Sequence, residues 1–341
     1  MTLFHSYNNP YDIDMYFFLK KFINIEYSDE YKDGYFLINH GDINNLKYLS
    51  SIVDNNNKKT KILCMYGWEA YTDFKHLNDF YDNALTFGFD TNKIVIVYNN
   101  LYKSNIQKYN VPKFGNIQTL SFPRMLFEKH LINETEFTSI HELRKTAKHN
   151  FSCFNRLGRL HKQKTIDYIT DIGLDSYNTY KFSDGFDIRS DAKIVQIKEN
   201  HKEIPNHLEF YNGKVNICVE TLYYSDNEYK FDEVVHLTEK IFRNIMLKIP
   251  FTLVSNKFAL NRFRKLGFKT FDSIIDESYD ESDDNVRYKL AVDSAVKLLP
   301  HYDSKSVQDI LDYNFNLLID KVYVKNMFNE LFTKPLNNLD N

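Results

Sequence analysis

The chain has 341 residues, of which 43% are hydrophobic and 26% are charged, so its composition is that of a globular rather than a disordered protein. This length is sufficient for two domains, each with a hydrophobic core of its own. The formal net charge of −3 excludes the strongly basic overall field that marks many nucleic-acid-binding proteins.

The cysteines and the N-terminal sequence predict the cellular compartment. Cys64, Cys153 and Cys218 lie far apart, each near an apolar run, and an odd, dispersed set predicts buried thiols in a reducing compartment rather than disulfides. The N-terminus has no basic start followed by an apolar core, and no apolar run approaches the roughly 20 residues that span a bilayer. We therefore predict a soluble, cytoplasmic protein with no membrane partner.

Residues 1–145 predict an α/β domain. Strands are predicted at "GYFLINH", at "KILCMYGWEAY", which runs into a loop, and at the β-branched "NKIVIVYNN". Helical spacing is present in "HLNDFYDNALTFGF". Strands that alternate with helices favour βαβ units and a mostly parallel sheet.

Residues 146–300 predict a second α/β domain. Its predicted strands are "NFSCFN", "KVNICVE" and "FTLVS". Its predicted helices are "RLHKQKTIDYITDIG" ending at Gly173, residues 237–248 stopped by Pro250, "KFALNRFRKLGF" ending at Gly267, and "RYKLAVDSAVKLL".

Two further segments complete the prediction. The tail, 301–341, has apolar residues at helical spacing and is expected to cover a core or pack back across the domains. The acidic stretch 272–284 is expected to be a solvated loop. The fold class is therefore α/β, with two units facing each other across a cleft, and open α/β sheets bind ligands at the carboxyl ends of their strands.

The helix that starts in "HLTEKIFRN" carries a candidate binding site. Its core face is predicted to consist of Leu237, Ile241, Ile245 and Met246, with Phe242 at the border of that face. Thr238 is a predicted N-cap, and the helix start favours an anion. Lys240 would add positive charge there, while Glu239 could accept hydrogen bonds from sugar hydroxyls. The alternative is a capped helix with a favourable Glu and a solvated Lys.

A basic run flanks the strand "NFSCFN". Seven cations and no acid lie between Leu143 and Ile166, namely Arg144, Lys145, Lys148, Arg156, Arg159, Lys162 and Lys164. Arg156 directly follows the strand and could give a bidentate contact to phosphate. We expect Lys162 and Lys164 to be solvated helix charges.

Two glutamates follow other predicted strands. Glu220 closes "NICVE" and could bind a sugar hydroxyl, or could hold a loop through backbone amides. Glu69 lies beside Trp68, the single tryptophan, where partial burial would suit a general base. A loop glutamate next to a packing tryptophan is the alternative. No Walker loop, G-x-G-x-x-G or zinc spacing is present, so we predict no metal and no cofactor.

The phrases "TEKIFRN" and "PFTLVS" resemble the glycosyltransferase family 10 fucosyltransferases and their relatives in phages and large viruses. "FSCFNRLGRLHKQKTIDYI", "ICVET" and "CMYGWEAY" are similar to further segments of that family, in the same order, and "LGFKTF" and "DESYD" are similar to phrases of the phage and viral branch. The resemblance covers about 145–300 well. The sequence departs from the family after Glu220, where "TLYYSD" replaces an Asn-Ser.

The resemblance implies a GT-B fold, with two Rossmann-like domains facing a cleft, and a metal-independent inverting transfer of sugar to an acceptor hydroxyl. It implies a GDP- or UDP-linked nucleotide sugar as co-substrate and Glu69 as the base. The implied acceptor is a glycan or a hydroxymethyl-pyrimidine in viral DNA, and the location would then be the host cytoplasm. A sugar-binding viral protein without activity is the alternative. The implied donor-binding residues are Arg156, with Arg159 as second choice, Glu220, Thr238, Glu239 and Lys240.

Overall fold

A computed structural model gives the fold of the chain over most of its length. It describes residues 2–5, 24–27, 34–39, 43–53, 59–66, 80, 82–98, 118–121, 147–155, 159–182, 185–187, 212–221, 223, 235 and 237–334. By its contacts the chain divides into two compact units, one formed by Met1–Leu131 with Lys321–Asn341 and the other by Ile132–Asp320. The domain limits 1–145, 146–300 and 301–341 stay predictions.

The first unit is built on a parallel sheet. Its described strands form a six-stranded sheet in the order β2-β1-β3-β4-β5-β6, with neighbours parallel. The strands predicted at "GYFLINH", in the first part of "KILCMYGWEAY" and within "NKIVIVYNN" are confirmed as β3, β4 and β5. The elements are β1 (Thr2–His5), β2 (Asn24–Tyr27), β3 (Tyr35–Asn39), α1 (Ile43–Val53), β4 (Lys61–Tyr66), β5 (Ile94–Tyr98) and β6 (Gln118–Ser121).

The second unit also has a mostly parallel sheet. Its described strands lie in the order β11-β10-β7-β8-β9, parallel except for the antiparallel pair β8 and β9. The strands are β7 (His149–Phe154), β8 (Ser176–Phe182), β9 (Gly185–Asp187), β10 (Gly213–Val219) and β11 (Phe251–Val254). The helices are α2 (Leu160–Asp171), α3 (Glu239–Met246), α4 (Ala259–Lys265), α5 (Asp284–Leu298) and α6 (Lys305–Ile319).

The end of the chain returns to the first unit. Helix α7 (Lys321–Phe328) continues into a π-helical turn, Asn329–Thr333, which contacts β6. Val324 and Phe328 of α7 are buried. No helix in the described part of the chain combines the length and the apolar character needed to cross a bilayer.

Strand β10 lies between β11 and β7 in the second sheet. Val215, Ile217 and Val219 on one face and Asn216 and Cys218 on the other are buried, as expected for a strand covered on both faces. At Gly213, a Cβ atom would lie 2.5 Å from the backbone nitrogen of Ser152 on β7, so only glycine permits this close approach. The Asn216 side chain donates to the Ser152 carbonyl (3.1 Å) and hydroxyl (2.9 Å), which ties the two strands together.

Helix termination follows the predicted signals. Gly173 and Gly267 follow α2 and α4 with positive φ angles of 65° and 88°, the left-handed conformation that glycine adopts at low cost after a helix. The predicted core face of α3 is also confirmed, because Leu237, Ile241, Ile245 and Met246 and the bordering Phe242 are all buried.

The prediction of a solvated loop over the acidic stretch 272–284 holds for Asp272, Asp276, Glu281 and Asp283, which are exposed, but is wrong for two other acids. Glu277 and Asp280 are buried. Asp280 accepts hydrogen bonds from the backbone N–H groups of Leu260 (3.0 Å) and Asn261 (3.1 Å) at the start of α4. These bonds supply the helix's first N–H groups with a partner. An acidic run is usually solvated, but here a distant helix start provides the donors that allow burial.

Glu277 and Tyr279 complete this buried acidic segment. The Glu277 carboxylate accepts hydrogen bonds from Arg264 Nη1 and from the backbone N–H of Phe271, both at 2.9 Å. Burial raises the pKa of Glu277 to about 7. The Tyr279 hydroxyl accepts the N–H of Leu253 on the edge strand β11 (3.2 Å). The segment therefore covers an edge of the sheet.

Candidate functional site

The candidate site lies at the carboxyl edge of the second sheet. Strand β10 ends at Val219 and leads into Glu220 and Thr221, while α3 begins at Glu239 after Thr238, and α2 begins at Leu160 after Arg159. Parallel strands end at one edge, and the helices that follow them begin there. The structure therefore brings together residues that are up to 81 positions apart in the sequence, counting from Arg159 to Lys240.

Glu220 is a fully buried carboxylate, with 0% of its surface exposed. Its Oε1 atom accepts a hydrogen bond from the Thr238 backbone N–H (3.0 Å), and its Oε2 atom accepts one from the Thr238 hydroxyl (2.5 Å). Its own N–H donates to the Val254 carbonyl on β11 (2.9 Å). These contacts match the second interpretation of Glu220, a carboxylate that holds a loop through a backbone amide.

Thr238 is the N-cap of α3, as predicted. Its backbone is extended, and its hydroxyl oxygen accepts the N–H of Lys240 (3.3 Å). The same oxygen donates its proton to Glu220 and accepts from the Lys240 ammonium (3.0 Å). Thr238 therefore connects a buried anion to a cation in the first turn of the helix.

Lys240 is held in place and is not a freely solvated side chain. Its Nζ atom donates to the hydroxyls of Thr221 (2.9 Å) and Thr238 (3.0 Å), and it lies 3.9 Å from Glu220 Oε2. The side chain is 21% exposed, and its hydrogen bonds to two hydroxyls fix the direction of the ammonium group. A cation at a helix N-terminus is unfavourable for the helix dipole, and the nearby Glu220 carboxylate offsets that cost.

Arg159 brings a second cation to Thr221. Its Nη1 atom donates to the Thr221 backbone carbonyl at 2.6 Å. Arg159 is the N-cap of α2, with an extended backbone and no capping bond from its side chain. The side chain therefore extends to the end of β10 and does not cap its own helix. Arg159 was predicted as a donor-binding residue. Thr221 was given no role, because nothing in its local sequence distinguishes Thr221 from other threonines.

His161 and Tyr223 fix the segment that follows β10. His161 is buried, with Nε2 at 3.0 Å from the Glu220 carbonyl oxygen, and its ring stacks on Tyr223 with centroids 5.1 Å apart. The Tyr223 hydroxyl donates to the Asp284 carbonyl and accepts the N–H of Tyr288 (3.2 Å) in α5. Sequence analysis missed both residues. The position of His161 next to Arg159 in the basic run was the available signal.

The basic run does not form a continuous solvated surface. Lys162 is 2% exposed, so the prediction of a solvated Lys162 is wrong, because this position of α2 faces the sheet near Cys153. Lys148 is exposed and Lys164 is half-buried. Arg144, Lys145 and Arg156 lie outside the described residues.

Of the remaining predicted residues, the structure describes two cysteines but not the predicted base. Cys153 and Cys218 are buried thiols outside any disulfide, as predicted, and burial raises the pKa of Cys153 to about 12. Glu69, like Arg156, lies outside the described residues, as do the side chains of Cys64 and Glu239. In the part of the chain that the structure describes, no group of three or more His, Cys, Asp and Glu residues is arranged to hold a metal ion.

No protein-family model and no curated protein matches the chain. Among solved structures, a DNA-modifying β-glucosyltransferase, determined with and without uridine diphosphoglucose, is similar with a TM-score of 0.51 and 11% identity over 99% of this chain and 100% of that one. An α1,3-fucosyltransferase with GDP has a TM-score of 0.46 and 10% identity over 100% of this chain and 90% of that one. The first likeness concerns the fold, and the predicted GT-B fold with two Rossmann-like domains is confirmed.

Proposed function

We propose that the chain is a glycosyltransferase that moves a sugar from a nucleotide-sugar donor to an acceptor hydroxyl with inversion at the anomeric carbon. The observation that supports it most is the arrangement of Arg159 and Lys240 around Thr221 at the carboxyl edge of the second sheet. Two cations from two helix starts, at the edge where α/β sheets bind ligands, suit the diphosphate of a nucleotide sugar.

Each residue of the site has a proposed role. Lys240 and Arg159 contact the two phosphate groups and offset the negative charge that grows on the leaving diphosphate, which is typically a large electrostatic contribution to catalysis. Glu220 fastens Thr238, and Thr238 in turn orients Lys240. Glu239, the first residue of α3, accepts hydrogen bonds from sugar hydroxyls. Arg156, proposed from its position after β7, adds a bidentate phosphate contact.

The proposed reaction is a single displacement. The acceptor hydroxyl gives its proton to Glu69, and its oxygen forms a bond to the anomeric carbon. The bond from that carbon to the diphosphate breaks, and both electrons stay on the phosphate oxygen. Because attack and departure occur on opposite faces of the sugar, the configuration inverts. Replacing Glu69 with Gln is expected to lower the transfer rate by about 100-fold or more with donor affinity retained.

A ligand screen tests the donor site directly. Purified protein is screened by thermal shift against GDP, UDP, ADP and CMP and their common sugar conjugates. A ligand that binds the native state raises the melting temperature. We expect a shift with a GDP- or UDP-linked sugar that is lost in Lys240→Ala and retained in Lys305→Ala. Lys305 is a matched control, because its side chain is 86% exposed in a surface ion pair on α6.

The outcomes of the screen separate the alternatives. A shift that survives Lys240→Ala would contradict the assignment of Lys240 to the diphosphate. Absence of any shift would contradict the donor site. Donor binding without transfer to any acceptor and without donor hydrolysis would favour a non-catalytic binding protein, since a fold does not by itself establish activity.

The acceptor is tested with two substrate classes, glycans and modified DNA. The side chain of Arg159 is directed to the Thr221 carbonyl and Lys162 is buried, so the basic run is less suited to be a DNA-binding surface. We favour a glycan hydroxyl, in line with the fucosyltransferase resemblance. Transfer is followed by mass spectrometry with an oligosaccharide panel and with duplex DNA containing hydroxymethyl-pyrimidines. Modification of the DNA, with a rate that falls steeply as salt is raised, would reverse this preference.

A further inference from the structure

Thr221 contacts both cations of the candidate site through two different acceptor atoms. Its backbone carbonyl accepts from Arg159 Nη1 at 2.6 Å, and its hydroxyl accepts from Lys240 Nζ at 2.9 Å. The two cations come from the starts of different helices, Arg159 from the N-cap of α2 and Lys240 from the first turn of α3. One uncharged residue therefore connects the starts of the two helices through its hydrogen bonds.

The two acceptor atoms of Thr221 have little freedom to move. The residue is 7% exposed, and threonine is stiff at χ1 because its Cβ carries two heavy substituents. The backbone on its N-terminal side is held by the bond from the Glu220 N–H to Val254 and by the contact of the Glu220 carbonyl with His161. On its C-terminal side, Tyr223 is stacked on His161 and bonded to α5.

Holding two like charges close together has an electrostatic cost, which falls when each charge has a fixed acceptor. We propose that Thr221 is a positioning residue that sets the directions of Arg159 and Lys240, so that the pair meets two adjacent phosphate groups in one geometry. This inference rests on the proposed function, since it names a residue that orders the same donor site. It assigns Thr221 no contact with the reacting atoms.

The first test measures positioning without any ligand. Thr221→Val removes the hydroxyl acceptor but keeps the shape and the backbone carbonyl, whereas Thr221→Ser keeps the hydroxyl. Acylation of lysines in the ligand-free protein is followed by mass spectrometry, with the exposed Lys305 and Lys334 as internal references. We expect Lys240 to react about five- to tenfold faster in Thr221→Val, the factor that one hydrogen bond contributes. Thr221→Ser is expected to match the wild type.

The second test measures the consequence for donor recognition. Affinities for GDP and UDP, and for guanosine and uridine, are determined by calorimetry for the wild type and both variants. We expect Thr221→Val to weaken diphosphate binding about tenfold, with the nucleoside affinity changed less than twofold and Thr221→Ser close to the wild type. A structural defect would lower both affinities together.

The outcomes distinguish this inference from the proposed function. Unchanged Lys240 labelling in Thr221→Val would overturn the positioning role, whatever the nucleotide results. Equal losses for diphosphate and nucleoside would overturn its specific effect on phosphate. Absence of nucleotide binding by the wild type would overturn the proposed function, and with it the role of Thr221 in donor recognition, even if the labelling result were as expected.

Discussion

Two helix starts in the second unit are each fastened by a buried carboxylate, and they differ in what that carboxylate contacts. At α4, Asp280 contacts the N–H groups of Leu260 and Asn261 directly. At α3, Glu220 contacts the N-cap Thr238 instead, and Lys240 occupies the first turn. At α4 the Asp280 carboxylate therefore occupies the position that a bound anion would take. At α3 the Glu220 carboxylate contacts the backbone N–H and the hydroxyl of Thr238.

This difference separates a structural helix start from a candidate binding one. The Asp280 carboxylate at the α4 start is buried, as is the neighbouring Tyr279. At the α3 start, the Glu220 carboxylate is buried but the adjacent Lys240 side chain is 21% exposed. A buried anion can thus have two uses, closing a helix start or orienting a cation toward a ligand.

Removal of the Glu220 carboxylate is expected to have the largest effect on stability. Glu220→Ala leaves the Thr238 N–H and hydroxyl and the Lys240 ammonium without this partner, so we expect a loss of about 3–5 kcal/mol of unfolding free energy. Urea denaturation at pH 7 measures it. Glu220→Gln, which retains an acceptor oxygen, should lose less, and equal losses for the two variants would show that the charge itself dominates.

The buried carboxyl of Glu277 predicts a dependence of stability on pH. Its pKa is raised from 4.5 to about 7 in the folded state, so the folded state binds more protons than the unfolded state between these values. Its contribution to stability is therefore complete below pH 4.5 and is lost as the pH rises through 7, a decrease of roughly 2–3 kcal/mol. Urea unfolding of the wild type and Glu277→Gln across this range should show a steeper decrease for the wild type. Parallel curves would mean that Glu277 does not titrate in this range.

Loss of the α4 cap is expected to have an intermediate effect. Asp280→Ala removes the acceptor for two N–H groups at the helix start, which should cost about 1–2 kcal/mol. The measurement is the urea concentration at the midpoint of unfolding, compared between variant and wild type at an unchanged m-value. Nucleotide affinity should be unchanged, and a loss of affinity would mean that the two helix starts are not independent.

Lys240 is expected to show the smallest change in stability and the clearest change in binding. Lys240→Met keeps most of the apolar stem, and both oxygens of the buried Glu220 keep their hydrogen bonds from Thr238. The lost bonds of Lys240 to two hydroxyls should therefore change the unfolding free energy by about 1 kcal/mol or less. Affinity for the nucleotide sugar should fall at least about tenfold. A large loss of stability with unchanged affinity would mean that Lys240, like Asp280, stabilises its helix start and does not bind the nucleotide sugar.

Local pattern was sufficient to predict most of the second unit. The apolar runs of β10 and β11 and the spacing of apolar residues in α3 predict buried elements because burial on one or both faces leaves a period in the sequence. The N-cap Thr238 was also predictable, since it lies directly before its helix. The same reasoning predicted the glycine ends of α2 and α4.

The contacts that assemble the site were beyond local pattern. Glu220 and Thr238 are 18 residues apart, and Arg159 and Thr221 are 62 apart, so neither pair has a spacing that a helix or strand would enforce. The predictions that Asp280 and Lys162 are solvated failed for the same reason. A charged residue is buried only when other groups, often distant in the sequence, supply its partners. Sequence analysis therefore found the residues of α3 but not the role of Thr221.

The return of α7 to the first unit has a consequence for biosynthesis. Met1–Leu131 form a unit with Lys321–Asn341, and Val324 and Phe328 are buried. The ribosome has therefore made all of Ile132–Asp320 before it supplies the helix that completes the first unit. A nascent chain released before Lys321 would therefore lack the buried side chains of Val324 and Phe328 that belong to the first unit.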